Sequence, residues 1–210
     1  MCDLKIKVCG MKIPENIEAV SGLNPDFMGF IFYPPSKRFI GLDFEVNHLK
    51  AVNKNIIKTG VFVNATTDEV LEFGKLYGMQ AIQLHGNESP ELCQQIKNAG
   101  FFTIKAFGVD DGFDFTLLNP YQDKVDLFLF DTKTDQHGGS GKTFNWQILA
   151  NYKLEKPFML SGGISLGNLE EVLKLAHPYF YGIDINSKFE LEPGLKDIGK
   201  LETAFKTLKR

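Results

Sequence analysis

The chain reads as an α/β protein, a ring of parallel strands alternating with helical crossovers. Three observations carry that reading. Eight short apolar runs recur, at Leu4–Cys9, Phe27–Phe32, Ile56–Val63, Ala81–Leu84, Phe101–Phe107, Val125–Asp131, Pro157–Ser161 and Tyr179–Ile185. Most intervals between them hold a helical pattern, and strands separated by helices pair in parallel. No linker, low-complexity segment or shift in composition divides the 210 residues. Eight such units in about 200 residues fit one compact (β/α)8 TIM barrel spanning 1–210, with an open doubly wound sheet as the alternative.

Taken in order, the first run alternates Leu4, Ile6 and Val8 against Lys5, Lys7 and Cys9. Pro14 opens a helix over Glu15–Gly22 that carries Ile17 and Val20. The second run leads into the loop YPPSKR, Tyr33–Arg38. After the third, Thr66 and Thr67 can cap a helix over Asp68–Tyr77 with Val70, Leu71, Phe73 and Leu76. The fourth ends in QLHG, Gln83–Gly86. Ser89–Ala99 starts with Ser-Pro-Glu and stops at Gly100, a capped helix. Asp114–Tyr121, after the fifth run, is short and weak. The sixth run, apolar from Leu127 to Phe130, suits a strand buried on both faces and ends on Asp131. The seventh runs into Ser161-Gly162-Gly163-Ile164, followed by a helix over Asn168–Ala176. The eighth ends in DINSK, Asp184–Lys188, and Asp197–Leu208 closes the chain as a helix.

Composition excludes several classes of function. The net charge of -3 and the lack of a basic block argue against a nucleic-acid surface. No apolar run approaches the roughly 20 residues of a membrane span, and the N-terminus lacks an apolar signal core. Cys2, Cys9 and Cys93 are scattered, without CxxC or Cys/His metal spacing. Reduced thiols and a cytoplasmic setting follow.

In a barrel, chemistry gathers at the C-terminal strand ends, and polar or reactive groups stand at most of them here. Asp131 precedes a polar loop, Thr132–Thr143, that contains Gly138–Lys142, GGSGK. That is either an active site with a closing lid or a strand-end aspartate beside a surface loop. Asp131 could donate a proton only if burial raised its pKa, and the apolar strand beneath it agrees with that. Gly162-Gly163 and Asn186-Ser187 follow strands 7 and 8, where this fold binds phosphate, although a double glycine alone could be an ordinary turn. Cys9 is a buried filler or a thiolate. Lys7 could favour the thiolate but points at a layer below. Cys2 and Cys93 read as bystanders. Asp184 is a hydrogen-bonded rim residue or a ligand for sugar hydroxyls. Arg38 offers a planar fork to a carboxylate, or is solvated. His85 is a titrating group or a structural histidine.

KVCGM at Lys7–Met11, DFMGFIF at Asp26–Phe32, YPPSKR, GVFVN at Gly60–Asn64, QLHGNE, FDT at Phe130–Thr132, GGSGKTFNW, LSGGI, GID at Gly182–Asp184 and PGLKD at Pro193–Asp197 occur in that order. Together they resemble the phosphoribosylanthranilate isomerase family of tryptophan biosynthesis, over nearly the whole chain. The resemblance implies a (β/α)8 barrel that converts N-(5'-phosphoribosyl)anthranilate to 1-(2-carboxyphenylamino)-1-deoxyribulose 5-phosphate, an Amadori rearrangement without metal or cofactor. It implies Asp131 as general acid at the ribose ring oxygen and Cys9 as general base at C2'. It also implies Arg38 on the anthranilate carboxylate, Asp184 on the sugar, and Gly162, Gly163, Asn186 and Ser187 on the phosphate, while His85 is a candidate substrate-binding residue from its place at the end of strand 4. Two places depart from the family pattern: SKR stands where a proline commonly precedes the arginine, and NSKFE where a serine pair and glycine are usual. The small-molecule substrate is then the expected partner, with no nucleic acid and no membrane, and a monomer is favoured over a homodimer. A related phosphate-binding barrel acting on another aminosugar phosphate, or a non-catalytic phosphosugar-binding barrel, are the competing readings.

Overall fold

A computed structural model describes residues 4–41, 43–133 and 143–209. Eight strands form a closed parallel barrel in sequence order: β1 Lys5–Val8, β2 Phe27–Ile31, β3 Ile57–Phe62, β4 Ala81–Leu84, β5 Phe102–Val109, β6 Leu127–Thr132, β7 Phe158–Leu160 and β8 Phe180–Ile185. Each lies within or within two residues of its predicted run. β8 pairs with β1, setting Lys7 opposite Asp184 and Val8 opposite Ile185, so the ring is closed rather than an open sheet. Beyond β8, Glu190–Glu192 (β9) and Leu195–Lys196 (β10) form a short antiparallel hairpin that the sequence reading left out.

Helices α1 Pro14–Gly22, α2 Thr67–Leu76, α3 Pro90–Asn98, α4 Leu169–Leu173 and α5 Ile198–Leu208 stand where helical patterns were read. Local chemistry sets their starts. Pro14 occupies the first turn of α1. Thr66 and Glu69 form a reciprocal capping box on α2. Ser89 and Asp197 accept from backbone N–H groups of α3 and α5. α4 stops well short of the predicted Ala176. His177 precedes Pro178, and a residue before proline is pushed out of helical geometry. Three crossovers are 3-10 turns instead, at Val46–Ala51, Phe115–Tyr121 and Trp146–Asn151. Leu49, Leu118 and Leu149 are the buried residue of each. One apolar anchor does not make the stripe that holds an α-helix to a sheet, and Pro120 also removes a donor from the second.

The core has two layers. Phe27, Ala81, Ile104, Ala106, Leu127, Leu129 and Met159 fill the barrel interior. A larger layer packs between strands and helices, where Phe128, Phe130, Tyr152 and Phe158 meet edge to face or tilted. The side chains of β6 thus alternate, with Leu127 and Leu129 inside and Phe128 and Phe130 outside. The same alternation turns Asp131 toward the inner mouth.

Candidate active site

The inner faces of β1, β4, β6 and β8 deliver Cys9, His85, Asp131 and Asp184 to the C-terminal mouth of the barrel. His85 Nε2 lies 3.3 Å from Asp131 Oδ2, and Gln83 Nε2 donates to His85 Nδ1 at 2.9 Å. With that amide orientation the ring proton sits on Nε2 and faces Asp131. The second Asp131 oxygen accepts from the Thr132 backbone N–H at 2.8 Å. The apolar enclosure read for Asp131 is incomplete, because its side chain is 18% exposed and carries the histidine as a polar partner. A cavity of about 460 Å3 opens beside it, lined by His85, Asn87, Phe107, Tyr121 and Lys133 among others. That volume is in the range of small-molecule sites.

Cys9 stands across the mouth and is 4% exposed. Lys7, fully buried, places its ammonium 3.0 Å from both oxygens of Asp184. Lys7 lies one inner layer below Cys9, as read, but its chain rises. A Cβ placed on Gly29 of β2 would meet Cys9 Sγ at 2.8 Å and Lys7 Nζ at 3.2 Å. The thiol and the ammonium therefore share one small space that Gly29 leaves open, and the separation expected between them does not exist. Burial pushes the Cys9 thiol up, and Lys7 pulls against it. Burial would lower Lys7, yet Asp184 and Cys9 hold it above its ordinary value. Gly29→Ala is expected to cost about 1–3 kcal/mol, the penalty of overpacking, in urea unfolding. A variant as stable as the wild type would show that the space is not closed.

Arg38 is brought to the same mouth, but its fork is already engaged. Nε lies 2.9 and 3.0 Å from the two oxygens of Glu190, and Nη2 lies 2.7 Å from one of them. Buried Lys196 reaches Glu190 and the Asn186 side-chain oxygen, each at 2.7 Å. Burial alone would raise Glu190, and the two cations hold it below its ordinary value. Among the described residues, Nη1 of Arg38 and the second N–H of Nη2 are the parts of the fork left for a ligand. Gly10 allows this crowding, since a Cβ there would lie 2.7 Å from Arg38 Cδ and 2.9 Å from Asn186 Oδ1. The sequence reading missed Glu190 and Lys196. Local sequence carried no signal for Glu190, since Leu191 and Glu192 beside it are exposed.

Gly162 and Gly163 both have left-handed backbone, with φ of 81° and 66°, which glycine adopts at no steric cost. Asn168 pins their loop, donating to the Gly163 carbonyl at 3.1 Å and accepting from Ser165 N–H at 2.8 Å. A Cβ on Gly162 would lie 2.6 Å from Asp131 Oδ1, so this loop abuts the aspartate. Ser187 opens the 3-10 turn Ser187–Phe189, and Lys188 beside it is exposed. Cys93 is buried in α3, and burial pushes its thiol up to about 12, which leaves it inert. Cys2 and most of the proposed lid loop, including Gly138–Lys142, lie outside the described residues. Among the described residues, no group of three or more His, Cys, Asp or Glu is placed to hold a metal ion.

The comparisons with known proteins agree. The family described as N-(5'phosphoribosyl)anthranilate (PRA) isomerase matches residues 6–207. The N-(5'-phosphoribosyl)anthranilate isomerase of Parabacteroides distasonis is 48% identical over 198 residues, covering 94% of this chain and 90% of that protein. The crystal structure of phosphoribosyl anthranilate isomerase from Thermotoga maritima superposes with a TM-score of 0.88 at 32% identity, over 98% of each chain. Another isomerase, solved in complex with reduced 1-(o-carboxyphenylamino)-1-deoxyribulose 5-phosphate, gives a TM-score of 0.85 at 28% identity, again over 98% of each chain. With its motifs at the ends of a closed eight-strand barrel and a family match over nearly its full length, the chain belongs to the N-(5'-phosphoribosyl)anthranilate isomerase family.

Proposed function

We propose that this chain isomerises N-(5'-phosphoribosyl)anthranilate to 1-(2-carboxyphenylamino)-1-deoxyribulose 5-phosphate, a step of tryptophan biosynthesis, by acid–base catalysis from its own side chains. The observation that carries the reading is the convergence of Cys9, Asp131 and Asp184 on one barrel mouth, with a left-handed diglycine loop against Asp131. The family membership and the ligand in the related complex support it.

The residues divide the work. Asp131 gives its proton to the ribose ring oxygen as the C1'–O bond breaks and the anilino nitrogen forms the Schiff base. His85, in contact with Asp131, holds the carboxyl in place toward the mouth. The Cys9 thiolate removes the C2' proton, leaving an enolamine that tautomerises to the ketone. β1 and β6 lie well apart around the ring, so acid and base meet a flat intermediate from different sides. Asp184 stands between them for the sugar hydroxyls. The amides of Gly162 and Gly163, with Asn186 and Ser187, receive the phosphate, and Arg38 Nη1 the anthranilate carboxylate. Two charged handles hold the reacting carbons in register. Glu190 makes the SKR departure tolerable, because it fixes the arginine whatever precedes it. The NSKFE departure redirects Asn186, whose side-chain oxygen is committed to Lys196. Ser187 and the glycine amides then carry more of the phosphate.

The test is turnover by the purified protein. Substrate is generated in place from anthranilate and phosphoribosyl pyrophosphate and followed by fluorescence loss with a chelator present. Loss faster than spontaneous decay is expected. Decay at the background rate, with the protein folded and binding phosphate, would point to a different aminosugar phosphate. Sedimentation would test the proposed monomer. No helix among the described residues is long and apolar enough to cross a membrane, and a cytoplasmic setting is proposed with the reduced thiols.

A further inference from the structure

Lys7 is a charged side chain with no exposed surface, in the interior of a barrel whose lower layers are apolar. Burying an ion pair rarely adds stability over apolar residues of the same shape. An ammonium has three N–H donors, and Asp184 takes two of them at 3.0 Å each. The space over Gly29, where the remaining donor can turn, is the space that holds Cys9 Sγ. Three strands bring charge to Cys9. β1 brings Lys7 itself, β8 brings Asp184, and β10 brings Lys196, which is paired with Glu190 and through it with Arg38. β2 brings only Gly29. Of these cations, Lys7 is the one whose Nζ shares the space over Gly29 with the thiol.

We propose that Lys7 is a positioning residue for Cys9. Its ammonium, clamped by Asp184, offers its third N–H to Sγ and so holds the sulfur ready to ionise, and the Asp184 charge limits how far that goes. The proposal deepens the reading of Cys9 as the base and rests on it. When the thiol loses its proton, Lys7 shares the charge of the thiolate. When the thiolate takes the C2' proton, Lys7 falls back on Asp184 alone. The effect opposes burial, which pushes the thiol up.

The experiment follows the ionisation of Cys9 directly, by the Cβ carbon resonance of protein labelled at cysteine Cβ, titrated with pH. Lys7→Met keeps the length of the side chain and removes its charge. The midpoint for Cys9 is expected to rise by at least about one pH unit, a tenfold loss of thiolate at a given pH. The rising limb of kcat/KM against pH should move with it while KM stays close to wild type. A folded Lys7→Met protein with an unmoved midpoint would overturn the proposal, since a merely structural ion pair has no reason to shift a thiol. Asp184→Asn provides the opposite sign and guards against a Lys7→Met protein that fails to fold. Freed from its carboxylate, Lys7 should lower the Cys9 midpoint, and a midpoint that stays or rises would also overturn the proposal. The carbon resonance needs no turnover. Failure of the isomerase assay would therefore strike the functional reading, and failure of the titration would strike the role of Lys7.

Discussion

Asp131→Asn is expected to lower kcat by about 100- to 10,000-fold, the range that a positioned general acid supplies, with little change in KM. The fold gives no reason for the variant to misplace its neighbours. One oxygen of the residue accepts from the Thr132 N–H and the other faces His85. An amide keeps the first contact and turns its NH2 toward the imidazole. His85 then needs its lone pair on Nε2 and its proton on Nδ1. Gln83 can follow by rotating its own amide, because its side-chain oxygen has no partner among the described residues. The Gln83–His85 relay therefore absorbs the substitution, and what is lost is the proton for the ring oxygen. The phosphate loop, built on Gly162 and Gly163, is unchanged, so binding persists. Steady-state fluorescence assays, corrected for spontaneous decay of the labile substrate, give the answer. Wild-type turnover would remove Asp131 from the mechanism.

Cys9→Ser carries the second large effect. The hydroxyl fits a site where the thiol is already buried, and Lys7 remains beside it. An alcohol is a far weaker acid than a thiol, so almost none of it is present as the anion that must take the C2' proton. A loss of about 100-fold or more in kcat is expected, again with KM near wild type. Exchange of the C2' hydrogen, followed with substrate deuterated there, should slow in step. A fully active Cys9→Ser protein would transfer the role of base to another group, and His85 would be the first to substitute.

What could be read in the sequence was what is local. Eight apolar runs bounded by polar residues mark eight strands, because a strand buried on both faces has few other compositions. Strand parity then placed Cys9, His85, Asp131 and Asp184 on one rim. The 3-10 crossovers were not legible, since a single anchor such as Leu49 leaves no periodicity to find. The pairs that finish the site were not legible either. Lys7 and Asp184 are 177 residues apart, and Arg38 and Glu190 are 152. Each contact exists only because the ring closes, and no window of sequence contains both partners. The expectation for Lys7 failed for a related reason. Parity fixes the layer of a Cβ, but a four-carbon chain can climb a layer when a glycine on the next strand leaves room.

The pairing of β8 with β1 has a kinetic side. These are the last and first strands of the barrel, and Lys7 stands opposite Asp184 in their register. Contacts across so much of the chain must wait for its largest loop to close. A refolding intermediate that holds β2 to β6 can keep Asp131 with His85, but it has no electrostatic environment for Cys9 and no finished site. In refolding, therefore, activity should return no earlier than the pairing of β8 with β1.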